Sequence, residues 1–292
     1  MTHALLRMAQ DRTVLFDGAM GTMLMASGLS SGECPEVWNL EKPSLVMEIH
    51  RRYYEAGSDV VHTNTFGGNL IKLSDRGLSG QMEAINLEAA RIAREACPQG
   101  KFVAGDLGPT GKLFKPLGTL DPHAVEEAYR MQAEALIKGG VDLISIETMF
   151  SLQEALAAVR AAKKAQGQIL VVASMTYNKT KRGYFTMMGE GVKEAVSALV
   201  DAGADVVGAN CTLGSRDMID LTREIRAVTQ KPILVQPNAG QPVTREGITI
   251  YEQSPLEFAR HGKEIKAAGA DMIGGCCGTD AAFIGELAKA VL

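Results

Sequence analysis

Three of the five cysteines stand where thiols can do chemistry: Cys211 closes an apolar run, and Cys276 and Cys277 are adjacent between glycines. Neighbouring strands of a parallel sheet lie about 4.8 Å apart, so two strands flanking a third are roughly 9–10 Å apart, and side chains can converge over the middle one. Three thiolates meeting there would reach a zinc ion at Zn–S distances of about 2.3 Å. They would leave a fourth position open, the arrangement of catalytic rather than structural zinc. Adjacent residues of a regular strand point to opposite faces, but Gly274, Gly275 and Gly278 allow a bent backbone that turns both sulfurs inward. Two other readings stay open on spacing alone. Cys276 and Cys277 can close a vicinal disulfide, or the run Gly274–Thr279 can act as a glycine-rich anion loop of the kind barrels carry after their last strands. Cys34 and Cys97 have no such setting and read as incidental.

The elements that must carry these residues announce themselves by repetition. Glu55-Ala-Gly-Ser-Asp-Val-Val61, Lys138-Gly-Gly-Val-Asp-Leu-Ile144, Asp201-Ala-Gly-Ala-Asp-Val-Val207 and Ala268-Gly-Ala-Asp-Met-Ile273 share one pattern: an amphipathic helix end, a glycine suited to the left-handed cap, and a short apolar strand. Eight strands are expected, at Thr13–Met20, Asp59–Thr65, Phe102–Pro109, Asp142–Thr148, Ile169–Tyr177, Asp205–Cys211, Pro232–Asn238 and Asp271–Cys277. Most are rich in Val, Ile and Leu without alternation, as strands covered on both faces are. Helical stripes such as Met218, Leu221, Ile225 and Val228 lie between them, and Asp121-Pro122 and Ser254-Pro255 read as helix starts. Strands alternating with helices in this number predict an α/β fold, a single (β/α)8 TIM barrel over residues 1–292. The helix-to-strand turns are minimal, whereas Gly21–Lys42, Leu107–Leu120, Asn178–Gly191 and Ala239–Gln253 read as long strand-to-helix loops. In such barrels those loops build the active site.

Polar residues gather at the C-terminal strand ends: Asp17, Asn64, Glu147, Asn210, Cys211, Asn238, Cys276 and Cys277. Asp17 and Glu147 suit an ammonium ion, and the glycine-rich turn after Asp17 offers backbone N–H groups to a carboxylate. Asn64, between Thr63 and Thr65, reads either as a substrate contact or as a partner for local backbone groups. Asp17 is also good turn chemistry, and Glu147 can instead pair with Lys112 or Arg182. His62 reads as a hydrogen-bonded histidine rather than a metal ligand, and His50 as solvated. Trp38 reads either as a cover for the pocket or as an anchor for its loop, and Met20, Met23, Met25, Met187 and Met188 as packing or loop contacts.

Composition narrows the classes further. Hydrophobic content of 46% and charged content of 22% belong to a globular chain rather than a disordered one. The net charge of −4 and the lack of any basic run argue against a nucleic-acid or anionic-membrane partner. No apolar stretch reaches spanning length, and Met1–Arg12 has no signal core, so a cytoplasmic protein is expected. An odd, small number of cysteines does not make a disulfide framework.

The segments Asp17-Gly-Ala-Met-Gly-Thr22, Gly105-Asp-Leu-Gly-Pro-Thr110, Ile146-Glu-Thr148, Gly208-Ala-Asn-Cys211, Gln236-Pro-Asn-Ala-Gly240 and Gly274-Gly-Cys-Cys-Gly-Thr279 together resemble the homocysteine S-methyltransferase family. Within it the resemblance is strongest to the homocysteine-binding barrel of the cobalamin-dependent methionine synthases, from about residue 10 to the C-terminus. The resemblance implies zinc held by Cys211, Cys276 and Cys277, with the thiolate of homocysteine completing the tetrahedron. It implies that Asp17 and Glu147 hold the amino-acid end, and that Asn238 occupies the metal when no thiol is bound. The expected activity is transfer of a methyl group to the sulfur of homocysteine, giving methionine. A methyl-corrinoid, free as methylcobalamin or carried by a corrinoid protein in trans, is the first expectation for the donor. This chain length is one barrel's worth, and it carries no glycine-rich fingerprint for an adenosyl cofactor. S-methylmethionine, a betaine-type donor and a related thiol acceptor are alternatives. A zinc- and thiol-binding module of a larger complex is the non-catalytic alternative. A phosphate-binding aldolase-type barrel is the least favoured, since no lysine falls at a strand's C-terminal end.

Overall fold

A computed structural model describes residues 3–30, 32–245 and 248–292. Eight parallel strands form one sheet: β1 (Val14–Leu15), β2 (Val60–His62), β3 (Phe102–Leu107), β4 (Leu143–Met149), β5 (Leu170–Met175), β6 (Val206–Gly214), β7 (Ile233–Asn238) and β8 (Met272–Ile273). Their order around the sheet is β1-β8-β7-β6-β5-β4-β3-β2. A bridge between Phe16 and Val60 joins the two ends. The fold is a TIM barrel, with every strand inside or overlapping its expected segment.

The repeated glycine-aspartate pattern has a physical explanation. Gly57, Gly140, Gly203 and Gly269 all adopt positive φ, between 99° and 117°, where a side chain would be strained. Two residues after each comes an aspartate that clips its strand to the strand before it. Asp59 accepts from Leu15 N, Asp142 from Val103 N, Asp205 from Val171 N and Asp271 from Ile233 N, at 2.7–3.0 Å. Each aspartate also meets a cation: Arg12 and Lys101 for Asp59, Arg94 for Asp142, Lys163 for Asp205 and Arg226 for Asp271. The four clips join β1 to β2, β3 to β4, β5 to β6 and β7 to β8. They lie at the N-terminal ends of the strands, the face of such barrels that serves stability.

Val14, Val60, Leu143, Leu170, Val206, Leu234 and Met272 fill the barrel's interior near this end. Helix α1 (Ala4–Asp11) lays Leu5 against them. The larger apolar layer lies between the strands and the surrounding helices. That layer corrects one expectation: His50, on helix α2 (Pro43–Ala56), is fully buried. Burial pulls its imidazole down to about 3, which keeps it neutral. Its neighbours Val46, Ile49 and Tyr53 turn that stretch of the helix inward.

Two of the long strand-to-helix segments are more ordered than expected. Asn178–Thr180 pairs with Gly183–Phe185, and Pro242–Arg245 pairs with Ile248–Tyr251, each as an antiparallel hairpin. Trp38 is 2% exposed within the apolar layer, with the Lys42 ammonium 3.5 Å above its ring, so it anchors the first loop. Among the described residues, no helix is long and apolar enough to cross a membrane.

Candidate metal and substrate site

At the C-terminal rim the structure brings the three predicted thiols together. The sulfurs of Cys211, Cys276 and Cys277 lie within 4.8 Å of one another, and Cys211 Sγ is 3.9 Å from Cys277 Sγ. A tetrahedral ion with 2.3 Å bonds to sulfur sets its ligands about 3.8 Å apart, so the spacing fits. All three cysteines are free thiols and partly accessible. This settles the vicinal disulfide: Cys276 and Cys277 are not joined.

The backbone that aims them departs from regular strand. Cys211 and Thr212 have φ of 61° and 58°, in the left-handed region, and the pairing of β6 with β7 shifts register between Asn210 and Gly214. Such conformations cost on the order of 1–3 kcal/mol each and persist where surrounding contacts over-determine them. β8 ends at Ile273, so Cys276 and Cys277 sit in a turn rather than in the strand expected there. Gly275 N bonds Asp17 O on the β1 side, while Cys276 N bonds Pro237 O and Cys277 O accepts from Ala239 N on the β7 side. Gly278 has φ of 82°, and a Cβ there would lie 2.3 Å from the Tyr251 ring. The Tyr251 phenol reaches the Cys277 sulfur, so the second hairpin roofs the cluster.

The same turn rules out the anion loop. The N–H groups of Gly274, Gly275, Cys276, Gly278 and Thr279 donate to Val235 O, Asp17 O, Pro237 O, Thr22 Oγ1 and Cys276 O. They are spent inside the protein and do not point at a ligand.

Hydrogen bonds within the trio divide its thiols unevenly. Hydrogen bonds from Cys211 and Cys276 pull the Cys277 thiol down to about 3, so one thiolate accepts from two thiols. A hydrogen bond with Cys276 favours ionisation of Cys211, but its bond to Cys277 and burial push it up to about 12. Bonds to Cys211 and Cys277 hold Cys276 well above the usual thiol range. Asn238, on β7 between the two cysteine-bearing segments, is 3% exposed, and its Oδ1 has no partner among the described residues. Three thiols in this spacing are a donor set suited to zinc.

Next to the thiols lies a pocket of ionisable groups. Asp17 is 1% exposed; its Oδ2 accepts from His62 N at 2.8 Å and its Oδ1 from His62 Nδ1 at 2.7 Å. His62 Nε2 lies 3.0 Å from Ser145 Oγ. Burial pulls His62 down, but the charge and hydrogen bond of Asp17, with Glu147 and Asp106 behind, prevail and push it up to about 10. Glu147 accepts from Asn210 Nδ2 at 2.9 Å. Burial raises its carboxyl, and Asp17 adds to that rise. Neither basic residue offered as its partner is there: Lys112 pairs with Asp75, and Arg182 stacks over Phe185. Asn64 faces the first loop, donating to Pro35 O and Asn39 Oδ1 at 2.8 and 3.1 Å.

Three residues to which the sequence assigned no role belong to the site's frame: Asn210, placed at the rim but given no part there, Asp106 and Tyr251. Asn210 is fully buried, and its amide touches Thr148 N, Thr148 Oγ1, Glu147 Oε2 and Cys276 Sγ. Its position before Cys211 at a strand end was the only signal. Asp106 stood in a quoted segment on β3, but no charge partner is visible in sequence. Tyr251 lies on a hairpin that carried no distinct strand signal.

A profile of the homocysteine S-methyltransferase family matches residues 14–291. The chain belongs to the homocysteine S-methyltransferase family. Methionine synthases of Mycobacterium tuberculosis and Mycobacterium leprae are 34% and 33% identical over 98% of this chain. The chain spans 25% of their length. The metallated form of the Escherichia coli homocysteine methyltransferase MmuM superposes with a TM-score of 0.80 at 26% identity, covering 97% of this chain and 99% of that one. The ionisable pocket and the thiol cluster share the rim where such barrels work.

Proposed function

We propose that the protein transfers a methyl group to the thiol of homocysteine, forming methionine, with zinc held by Cys211, Cys276 and Cys277. The observation that carries this is the convergence of the three sulfurs within 4.8 Å of one another, linked through Asn210 to the carboxylate of Glu147. Zinc bound there would keep the substrate sulfur deprotonated at neutral pH, where a free thiol of pKa near 8.5 is only a few per cent thiolate. Asn238 Oδ1 would fill the fourth position until the substrate arrives.

The chain's own residues then do the rest. Asn210 fixes Glu147 and Cys276 with one amide, so the amino-acid end and the sulfur end of the substrate are held at one set distance. Asp17 and Glu147 mark the amino-acid end. Asn64 acts at one remove, tying the loop at Pro35 and Asn39 against β2. Tyr251 and its hairpin shield the thiols from water on one side. In the transfer, the substrate sulfur's electron pair forms the S–CH3 bond as the donor's bond to the methyl carbon breaks. The donor keeps that bonding pair, and the thiol proton has already gone to solvent.

For the donor, similarity to the methionine synthases supports a methyl-corrinoid, free or on a partner protein. A small donor such as S-methylmethionine or a betaine is the second reading, favoured by the match to nearly the whole of a homocysteine methyltransferase. The test is to measure bound metal and then methionine formation from homocysteine with methylcobalamin, S-methylmethionine and betaine in parallel. About one zinc per chain is expected, lost together with turnover in Cys211→Ala and Cys276→Ala. Zinc retained with no turnover on any donor would instead favour a zinc- and thiol-binding module.

A further inference from the structure

Outside the rim pocket, one cluster of reactive side-chain types has no part in the function described above. Ser215 and His261 are 1% and 2% exposed, and His261 Nδ1 lies 2.8 Å from Ser215 Oγ. The third corner is Gln253, whose Oε1 accepts from Ser215 Oγ at 2.9 Å and whose Nε2 lies 3.2 Å from His261 Nδ1. A serine beside a histidine is the pairing of an activated nucleophile, but this one is sealed from solvent and backed by an amide. It is a closed hydrogen-bond ring, and a satisfied ring of this kind rigidifies what it joins.

The three segments it joins meet at the thiols. Ser215 follows Gly214, the last residue of β6, the strand that carries Cys211. His261 sits on the helix Pro255–Ala267. Gln253 follows the second hairpin by two residues; its N–H donates to Ala239 O, and Ala239 N in turn donates to Cys277 O. The backbones approach too closely to admit side chains between them. A Cβ on Gly240 would lie 3.2 Å from Gln253 Cβ, and one on Gly214 would lie 3.2 Å from Gly240 Cα. The stem of the hairpin is therefore pinned to both cysteine-bearing segments.

Tyr251 lies two residues before Gln253, at most about 7 Å away along the chain, so a shift of the stem moves its phenol. The Tyr251 ring packs on Gly278, and its O–H reaches the Cys277 sulfur. A phenol is a donor at neutral pH, and its hydrogen bond to a thiolate is of the stronger, charge-assisted kind. Three thiolates on a divalent cation carry a net negative charge. An O–H aimed at one of the sulfurs stabilises that charged, metal-loaded state over the protonated, empty one.

We propose that Gln253, held by Ser215 and His261, is a positioning residue that aims the Tyr251 phenol at Cys277, and that this contact strengthens the hold of the three sulfurs on zinc. The proposal rests on the zinc reading above. It gives the buried ring a role at the metal that none of its members touches.

The experiment is a double-mutant cycle read by zinc competition with a chelator, in wild type, Tyr251→Phe, Gln253→Ala and the double variant. Hydrogen-bond partners of metal ligands typically contribute about 10–100-fold in metal affinity, so each single variant should release zinc about tenfold more readily. The double variant should release it no more readily than Tyr251→Phe, because Gln253 acts through the phenol. In the cobalt-loaded proteins, both single variants should shift the sulfur-to-metal charge-transfer absorption in the same direction. A defect that leaves the Cys277 sulfur alone would not move that band. If Gln253→Ala does not fold, Ser215→Ala takes its place in the cycle with the same expectations. Unchanged zinc retention in Tyr251→Phe overturns the proposal, as does a double variant whose loss is the product of the two single losses. A wild-type protein that binds no zinc overturns the zinc reading itself, and this proposal with it.

Discussion

Asn210 Oδ1 accepts the backbone N–H of Thr148 at 2.7 Å, across the strand that separates β4 from β6. Thr148 has φ of 57° and Cys211, the residue after Asn210, has φ of 61°, so a left-handed residue stands on each side of this contact. Both halves of the site depend on this contact.

Asn210→Ala should therefore disturb the site more than its neutral side chain suggests. It strands the half-buried Thr148 N, which costs about 1 kcal/mol, and frees Glu147 and Cys276. Urea unfolding should show a loss of that size. Zinc competition with a chelator should show weaker retention, because partners of this kind typically contribute 10–100-fold in metal affinity. Unchanged stability and unchanged zinc affinity would contradict the positioning role.

His62 gives a pH signature with a definite sign. Its folded value is pushed up to about 10 from an ordinary 6.5, so the native state holds this proton more tightly than the unfolded chain. The stability it contributes is complete below about pH 6.5 and is lost as pH rises through about 10. Wild-type protein should lose more stability than His62→Gln between those limits, read as the urea midpoint at successive pH values. Parallel curves for the two proteins would remove His62 from the ion pair.

Asn238→Ala isolates the fourth ligand. With no thiol bound, the variant should give up zinc to a chelator about tenfold more readily than wild type. With saturating homocysteine the two should retain it equally, since the substrate sulfur then takes the open position. Equal retention in both conditions would show that Asn238 does not touch the metal.

Composition and local pattern alone determined the scaffold. The four glycine-aspartate repeats are legible because each does a local job: the glycine takes a backbone angle closed to other residues, and the aspartate meets the strand beside it. The thiol cluster was legible for a related reason, because cysteines at strand ends of a barrel arrive at one rim whatever the details. What lay beyond the sequence depends on distance between strands. Nothing local tells that Asp17 pairs with His62, that Glu147 meets Asn210 rather than Lys112 or Arg182, or that Asp106 meets the carboxyl of Glu147. Nor does it tell that His50 turns inward, since the same helix would leave it solvated if rotated by part of a turn. Charge and hydrogen bonding are decided by the neighbour across the barrel, and only closing the barrel chooses that neighbour.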